Sequence, residues 1–339
     1  MRSHSFYSDP KPSSREIPMS EAAAHRQTPY VAAPRLPSPE TLPIPPLTRD
    51  YGQAKADLTE YGMCLFADAL STDELETLRG AIDRQADAES RLGDLAPPGA
   101  RGSNKQGLSN LVNKGRVFLD IIERTETDEL AGYLLGKHFL LSSLTGGVFH
   151  GATTEPQPLH RDQGQVPATA DFPAACNLFY LLDDFHPDNG GTCIVPGSHR
   201  WAPEHQINPP AREQELQIEA PAGTIFCWDG RLWHGTGVNK TGEPRRHITT
   251  YCCLPWMRQQ ENWGVTCLQE VLDEASPKLR ARLGLRTYGT LGMMSGTHTG
   301  GEGTTLGNYD VEIPEYVIGE NAELHRVRRT SRDTGSESA

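Results

Sequence analysis

His160 and Asp162 stand two residues apart in the run LHRDQG, Leu159 to Gly164. In a β-strand, side chains two apart point the same way, so an imidazole and a carboxylate would be presented together. His234 lies in a second strand-like segment, RLWHGTG, and supplies a further imidazole. Two histidines and one carboxylate form the facial triad that suits Fe(II), leaving the opposite coordination positions open for substrate and O2. Arg245 follows in NKTGEPRR, and its permanently charged fork matches a carboxylate of a bound co-substrate.

Position within the chain separates this motif from chance. The chain has 12 histidines, and a second His-x-Asp, His186-Pro187-Asp188, sits in the polar cluster DDFHPDNGG between two apolar runs. That cluster reads as a hairpin loop rather than a metal site. The HRD triplet also occurs in protein kinases, but the asparagine that would follow falls on Pro167, and no Gly-rich phosphate loop precedes it. His150, His205 and His247 have no partner at metal spacing, and His199 in PGSHR reads as a hydrogen-bonding turn residue. Asp229 either supports a ligand from behind or caps a loop, and Phe226, Trp228 and Trp233 read as core or pocket-wall aromatics.

With 339 residues the chain can bury a substantial core. A net charge of -12 argues against a sequence-independent grip on nucleic acid, which needs clustered Lys and Arg, so small molecules are the default partners. The 7 cysteines fall mostly inside apolar runs without a CxxC pair, which predicts free buried thiols and a reducing, cytoplasmic location. No run approaches the ~18 apolar residues of a membrane helix. The N-terminus lacks the apolar stretch of a secretory signal, and Asp9 and Glu16 weaken a transit-peptide reading.

The elements that must position the triad follow from periodicity. Residues 1–48 are Pro-rich and read as a disordered or loosely wrapped extension. A single domain, residues 49–326, is expected next. It opens with a short helix and the buried-strand candidate Gly62 to Phe66, followed by a helix from Leu70 to Arg91 whose Ser71 and Glu74 form a capping box. A Pro/Gly loop over 95–107 precedes a second helix over 113–134 with a break near Glu126. The basic residues Arg101, Lys105, Lys114 and Arg116 read in first place as a solvated face, with contact to an anionic substrate as the alternative. Strand-like runs, punctuated by turn residues, then fill the chain from Phe139 to Leu254. Such a series after a helical start predicts a mainly β fold with flanking helices, a jelly roll whose mouth binds small molecules. A helix over 265–283, a Gly/Thr-rich loop over 285–308 and a disordered tail over 327–339 complete the expectation.

The chain resembles the phytanoyl-CoA dioxygenase family of Fe(II)- and 2-oxoglutarate-dependent oxygenases from about Thr59 to Leu254. The resemblance lies in an ordered series: TEYGMCLFADALSTDELETLRGAID, LHRDQG, NLFYLLDDFHPDNGGTCIVPGSHR, APAGTIFCWDGRLWHGTG and NKTGEPRRH. It implies a double-stranded β-helix core, with His160, Asp162 and His234 as iron ligands and Arg245 on a carboxylate of 2-oxoglutarate. Arg246 takes that role if the match slips by one, and Gln157 and Thr192 match further co-substrate contacts of some members. The reaction implied is oxidative decarboxylation of 2-oxoglutarate with O2, coupled to oxidation of a C–H bond. The presence of Asp162, which a small residue replaces in related halogenases, points to oxygenation or desaturation.

The substrate expected is a small organic molecule, in first place a natural-product intermediate; an amino acid or an acyl-CoA stands as the alternative within the family. Neither nucleic acid nor membrane is expected as a partner, and a homodimer is left open. Two readings from other classes compete: a non-catalytic jelly-roll protein that holds a metal or ligand, and a cupin-like Zn or Fe enzyme that does not use 2-oxoglutarate. The intact triad speaks against the first and Arg245 against the second. Pocket-lining loops over 95–105 and 285–308 are expected to set substrate choice.

Overall fold

The structure is a computed structural model that describes residues 30–92, 104–153, 155–292, 316–318 and 323–325. Its centre is a 7-stranded sheet in the order β1-β2-β8-β5-β10-β4-β3, faced by a 3-stranded sheet in the order β7-β6-β9. The large sheet comprises β1 (Leu47–Thr48), β2 (Met63–Phe66), β3 (Lys105–Leu108), β4 (Leu140–Phe149), β5 (Ala175–Leu181), β8 (Ile225–Asp229) and β10 (Arg245–Cys253). The small sheet comprises β6 (Thr192–Ile194), β7 (Leu216–Gln217) and β9 (His234–Thr236). A two-stranded antiparallel ladder of β11 (Tyr316–Ile318) and β12 (Glu323–His325) is separate.

Strand alternation sorts the side chains of the large sheet between two layers. Cys64, Phe66, Cys176, Leu178, Tyr180, Ile225, Cys227, Ile248 and Cys252 join the helices in the main core. The intervening residues Met63, Leu65, Leu181, Phe226 and Trp228 point the other way, into a second cluster shared with Ile194 of the small sheet. The space between the sheets is therefore the interior of a jelly roll. All 7 cysteines are free, and Cys252 and Cys253 fall in different clusters, as neighbours on a strand must.

The helices back the large sheet. They are α1 (Tyr51–Glu60), α2 (Thr72–Leu92), α3 (Arg116–Glu123) and α4 (Thr125–Leu135), with α5 (Trp263–Thr266), α6 (Gln269–Glu274) and α7 (Pro277–Arg282) after the last strand of that sheet. The capping box forms as expected: the Ser71 N–H donates to Glu74 Oε2 at 2.8 Å, and the Glu74 N–H donates to Ser71 Oγ at 3.3 Å. The helix expected over 113–134 is divided at Arg124, whose extended backbone separates α3 from α4.

Several expectations need correction. The helix expected over 265–283 is three short pieces, because Cys267, Leu268 and Ala275 are extended and Ser276 precedes Pro277, which disfavours helical backbone before it. The Pro-rich extension is not loose as far as residue 48. From residue 30 it runs over the outer side of the small sheet, with Leu36 N–H donating to Arg200 O at 3.1 Å and Leu42 N–H to Pro196 O at 2.9 Å. Trp201 Nε1 donates to Glu40 O at 3.0 Å, and β1 then pairs with β2. Proline's missing donor is harmless in an extended arm bound at alternate positions. The loop expected over 95–107 lies outside the described residues as far as 103, and its end is strand, since Lys105–Leu108 form β3; residues 1–29, 293–308 and 327–339 also lie outside the described residues.

Candidate active site

His160 and His234 meet across an antiparallel bridge at the edge of the small sheet. The His160 N–H donates to His234 O at 2.9 Å and the His234 N–H donates back to His160 O at 3.0 Å. This exchange puts both rings on one side, with centroids 4.4 Å apart. Each imidazole is oriented by its own backbone: Nδ1 lies 3.2 Å from Pro158 O in His160 and 3.0 Å from Leu232 O in His234. Donation from Nδ1–H leaves the Nε2 lone pair free in both rings.

Those two Nε2 atoms point at Asp162, at 3.7 Å from Oδ1 for His160 and 3.4 Å from Oδ2 for His234. All three ligand atoms fall within 4.8 Å of one another. Atoms each about 2.1 Å from a shared ion lie about 3 to 4 Å apart, so the donor set fits a metal ion. Burial holds His234 below the usual imidazole range against the opposing charge of Asp162, which keeps its ring neutral and able to ligate.

One transverse row of the large sheet anchors Asp162. Tyr251, Asn177 and Trp228 are register neighbours on β10, β5 and β8. Asn177 Nδ2 donates to Asp162 Oδ2 at 2.6 Å, Trp228 Nε1 donates to the same oxygen at 3.0 Å, and Tyr251 Oη donates to Asp162 O at 3.0 Å. Oδ2 is thus held by two donors, and the carboxylate cannot rotate away from the histidines.

Arg245 lies farther along the same interior wall. It is 1% exposed, and its guanidinium carbon sits 4.3 Å from the ring centroids of both Phe149 and Phe185. Among the described residues, its Nε and Nη1 have no hydrogen-bond partner. Burial pulls its pKa down to about 9, so it stays charged at neutral pH while lacking a contacting anion. Rings continue from there to the triad: Phe149 to His247 at 6.4 Å, His247 to Phe179 at 4.1 Å, Phe179 to Trp228 at 5.7 Å and Trp228 to His234 at 4.9 Å.

A model of the phytanoyl-CoA dioxygenase (PhyH) family matches residues 58–247 of this chain, a span that contains the triad and Arg245. The chain belongs to the phytanoyl-CoA dioxygenase family. It is accordingly a non-haem iron, 2-oxoglutarate-dependent dioxygenase. Dioxygenase af480 of Aspergillus fumigatus is 28% identical over 268 residues, covering 76% of this chain and 86% of that protein. Two solved structures share the fold. EctD from S. alaskensis, with 2-oxoglutarate and 5-hydroxyectoine, matches at TM-score 0.52 and 18% identity, over 65% of this chain and 82% of its own. HygX from Streptomyces hygroscopicus, with nickel, 2-oxoglutarate and hygromycin B, matches at TM-score 0.50 and 15% identity, over 61% of this chain and 88% of its own.

Within this member of the family, the other residues singled out in the sequence divide clearly. Arg246 points to the opposite face from Arg245 and is bound by Asp83 at 2.6 Å and Asp183 at 3.1 Å. Thr192 is buried opposite Thr236 on the small sheet and has the same strand parity as the inward-facing Ile194. Gln157 is exposed, and its Oε1 accepts from Thr236 Oγ1 at 3.0 Å. Asp229 is fully buried and caps the turn, accepting from Arg231 Nη2 at 2.6 Å and from the Arg231 N–H at 2.9 Å. His199 is the turn residue expected, 3.1 Å from Thr59 O.

Sequence reasoning missed Asn177 and Tyr251, and it ranked a solvated face above an anion contact for Lys105. Lys105, Phe149 and Arg245 lie abreast on β3, β4 and β10, with Lys105 Nζ 5.5 Å from the Phe149 centroid. Burial first, and then Arg245, pull the Lys105 ammonium below its usual range. Read by sequence alone, Lys105 belongs in first place to a solvated basic face. The alternation of Lys105–Leu108 as a strand was the available signal, but only pairing with β4 shows which face is inward.

Proposed function

We propose that the chain uses His160, Asp162 and His234 to hold Fe(II) and Arg245 to bind 2-oxoglutarate, and that it oxidises a C–H bond of a small organic substrate, a natural-product intermediate. The observation that carries the reading is Arg245: a buried guanidinium, clamped between two aromatic faces, with Nε and Nη1 unpartnered and, among the described residues, no carboxylate upon it. Leaving a buried charged donor unpaired is costly, so the position is built for an anion that arrives with a ligand.

Each residue then has a defined task. The Nδ1–H donations to Pro158 O and Leu232 O aim the two Nε2 lone pairs, and Asn177 and Trp228 fix the carboxylate. Arg245, seconded by Lys105, would take a carboxylate of 2-oxoglutarate and so orient the keto acid toward the triad. The Phe149, Phe179 and Trp228 rings exclude water from the space between. Bound iron would supply the activation of O2 that drives oxidation of the substrate. A natural-product substrate agrees with the likeness to a fungal dioxygenase and with the small-molecule space of a jelly roll.

Anaerobic titration of the apo-protein with Fe(II) and then 2-oxoglutarate tests the assignment. A weak visible charge-transfer band from the chelate is expected, and it should be lost in Asp162→Ala and in Arg245→Ala. Folded, iron-loaded protein that never develops the band would overturn the co-substrate reading. A panel of small terpenoid, polyketide and amino-acid substrates, scored by substrate-dependent succinate release, addresses the substrate class; turnover confined to amino acids would displace the natural-product reading.

A further inference from the structure

Arg161, between His160 and Asp162 in sequence, lays its guanidinium over the Trp233 ring, in the cluster that Trp233 shares with Val195 and Trp201 behind the small sheet. There, between the outer side of the small sheet and the N-terminal arm, lies a cavity of about 240 Å³. Its walls include Tyr30, Arg35, Arg161, Arg200, Gln206 and Arg231. Four arginines thus converge in a chain whose net charge is -12. The acidic side chain in the lining is Asp171, which is exposed.

The chain satisfies these cations unequally. Arg231 is neutralised by Asp229 at 2.6 Å, and Arg200 by Glu60 at 2.7 Å. Among the described residues, Arg35 reaches a backbone carbonyl, Trp201 O, at 3.1 Å and no carboxylate. Arg161 has the Trp233 ring beneath it, with its guanidinium carbon 5.2 Å from the centroid, and its Nε is buried without a partner. Gln206 is 3% exposed; its Nε2 donates to Ser198 O, which fixes the amide orientation and leaves Oε1 buried with nothing to accept from. An unpaired guanidinium donor calls for an anion, and an unpaired amide oxygen in the same cavity calls for a proton donor.

We propose that this cavity, behind the metal-binding segment and distinct from the Arg245 pocket, binds a phosphate group. Phosphate combines oxyanion oxygens for Arg161 and Arg35 with a P–OH for Gln206 Oε1. The cavity is larger than one tetrahedral oxyanion, so the group can be free phosphate or the head of a small monoester bound as its monoanion, which keeps the P–OH. Sulfate has the same shape and charge but no proton to give at neutral pH.

Calorimetric titration of the full-length protein at fixed ionic strength tests this, with inorganic phosphate, glycerol 3-phosphate and sulfate as probes. Saturable phosphate binding is expected in the wild type and in Arg245→Gln, with sulfate weaker. Arg161→Gln should weaken phosphate by about ten-fold or more, the loss of one charge-assisted contact. Should that variant fail to fold, Ala168→Glu keeps Arg161 and places a carboxylate in the cavity wall, which should abolish binding. Tighter binding of glycerol 3-phosphate assigns a monoester as the ligand, and equal binding assigns free phosphate. The proposal is overturned by no saturable binding in the wild type, by binding lost in Arg245→Gln but kept in Arg161→Gln, or by sulfate binding as well as phosphate.

Discussion

Arg245 and Arg246 are neighbours in sequence and opposites in environment: Arg246 is held by Asp83 and Asp183, while Arg245 is buried between Phe149 and Phe185 with no carboxylate of the described residues upon it. Consecutive residues of β10 face opposite sides of the sheet, so one cation serves the helical layer and the other the jelly-roll interior.

Arg245→Gln is therefore expected to raise the KM for 2-oxoglutarate by about 100-fold, the equivalent of about 3 kcal/mol of charge-assisted hydrogen bonding. Arg246→Gln should leave that KM within a few-fold and instead lower stability by about 1 kcal/mol, since its ion pairs are half-buried. Succinate-release kinetics and urea unfolding separate the two. Equal effects on KM would remove the distinction.

Asn177→Ala deletes one of two donors to Asp162 Oδ2 without touching a ligand. Supporting contacts of this kind are worth about 10- to 100-fold in metal affinity. Anaerobic Fe(II) titration should show a loss of that size, against complete loss in Asp162→Ala. Wild-type affinity in Asn177→Ala would mean that Trp228 alone holds the carboxylate.

Burial pulls His199 down to a pKa of about 4 from an ordinary 6.5. The unfolded chain takes the proton first as pH falls, so the His199 contribution is complete above pH 6.5 and is lost between 6.5 and about 4. The slope reaches about 1.4 kcal/mol per pH unit. Neutral, buried His247 adds a dependence of the same sign. In His199→Gln, whose amide can still donate to Thr59 O, stability measured by urea unfolding at pH 7.5, 6 and 5 should fall less steeply; parallel profiles would contradict this.

Gly147 gives up its side-chain space to His247. A Cβ there would stand 2.2 Å from His247 Cε1, inside the stack on Phe179. Gly147→Ala should cost about 1 to 3 kcal/mol by overpacking. His247→Ala in the same chain should recover part of it, a coupling that a double-mutant cycle measures. Strict additivity would show that the clash is relieved elsewhere.

The sequence by itself determined the local chemistry. The spacing of His160 and Asp162 could put an imidazole and a carboxylate on one side of a strand, and Ser71 with Glu74 fixed the start of α2. The ordered motifs were sufficient to indicate the jelly roll and the family, because strand periodicity and turn residues are short-range signals. Tertiary structure decided everything that depends on register between distant strands. Only pairing sets His234 opposite His160, turns Arg245 inward and Arg246 outward, and lines up Tyr251, Asn177 and Trp228 behind Asp162. Lys105 joins the interior through β4, and the Pro-rich arm is fixed by carbonyls and donors far along the chain. A one-residue slip would reverse each of those faces, and it is the packing of the whole sheet that selects against it.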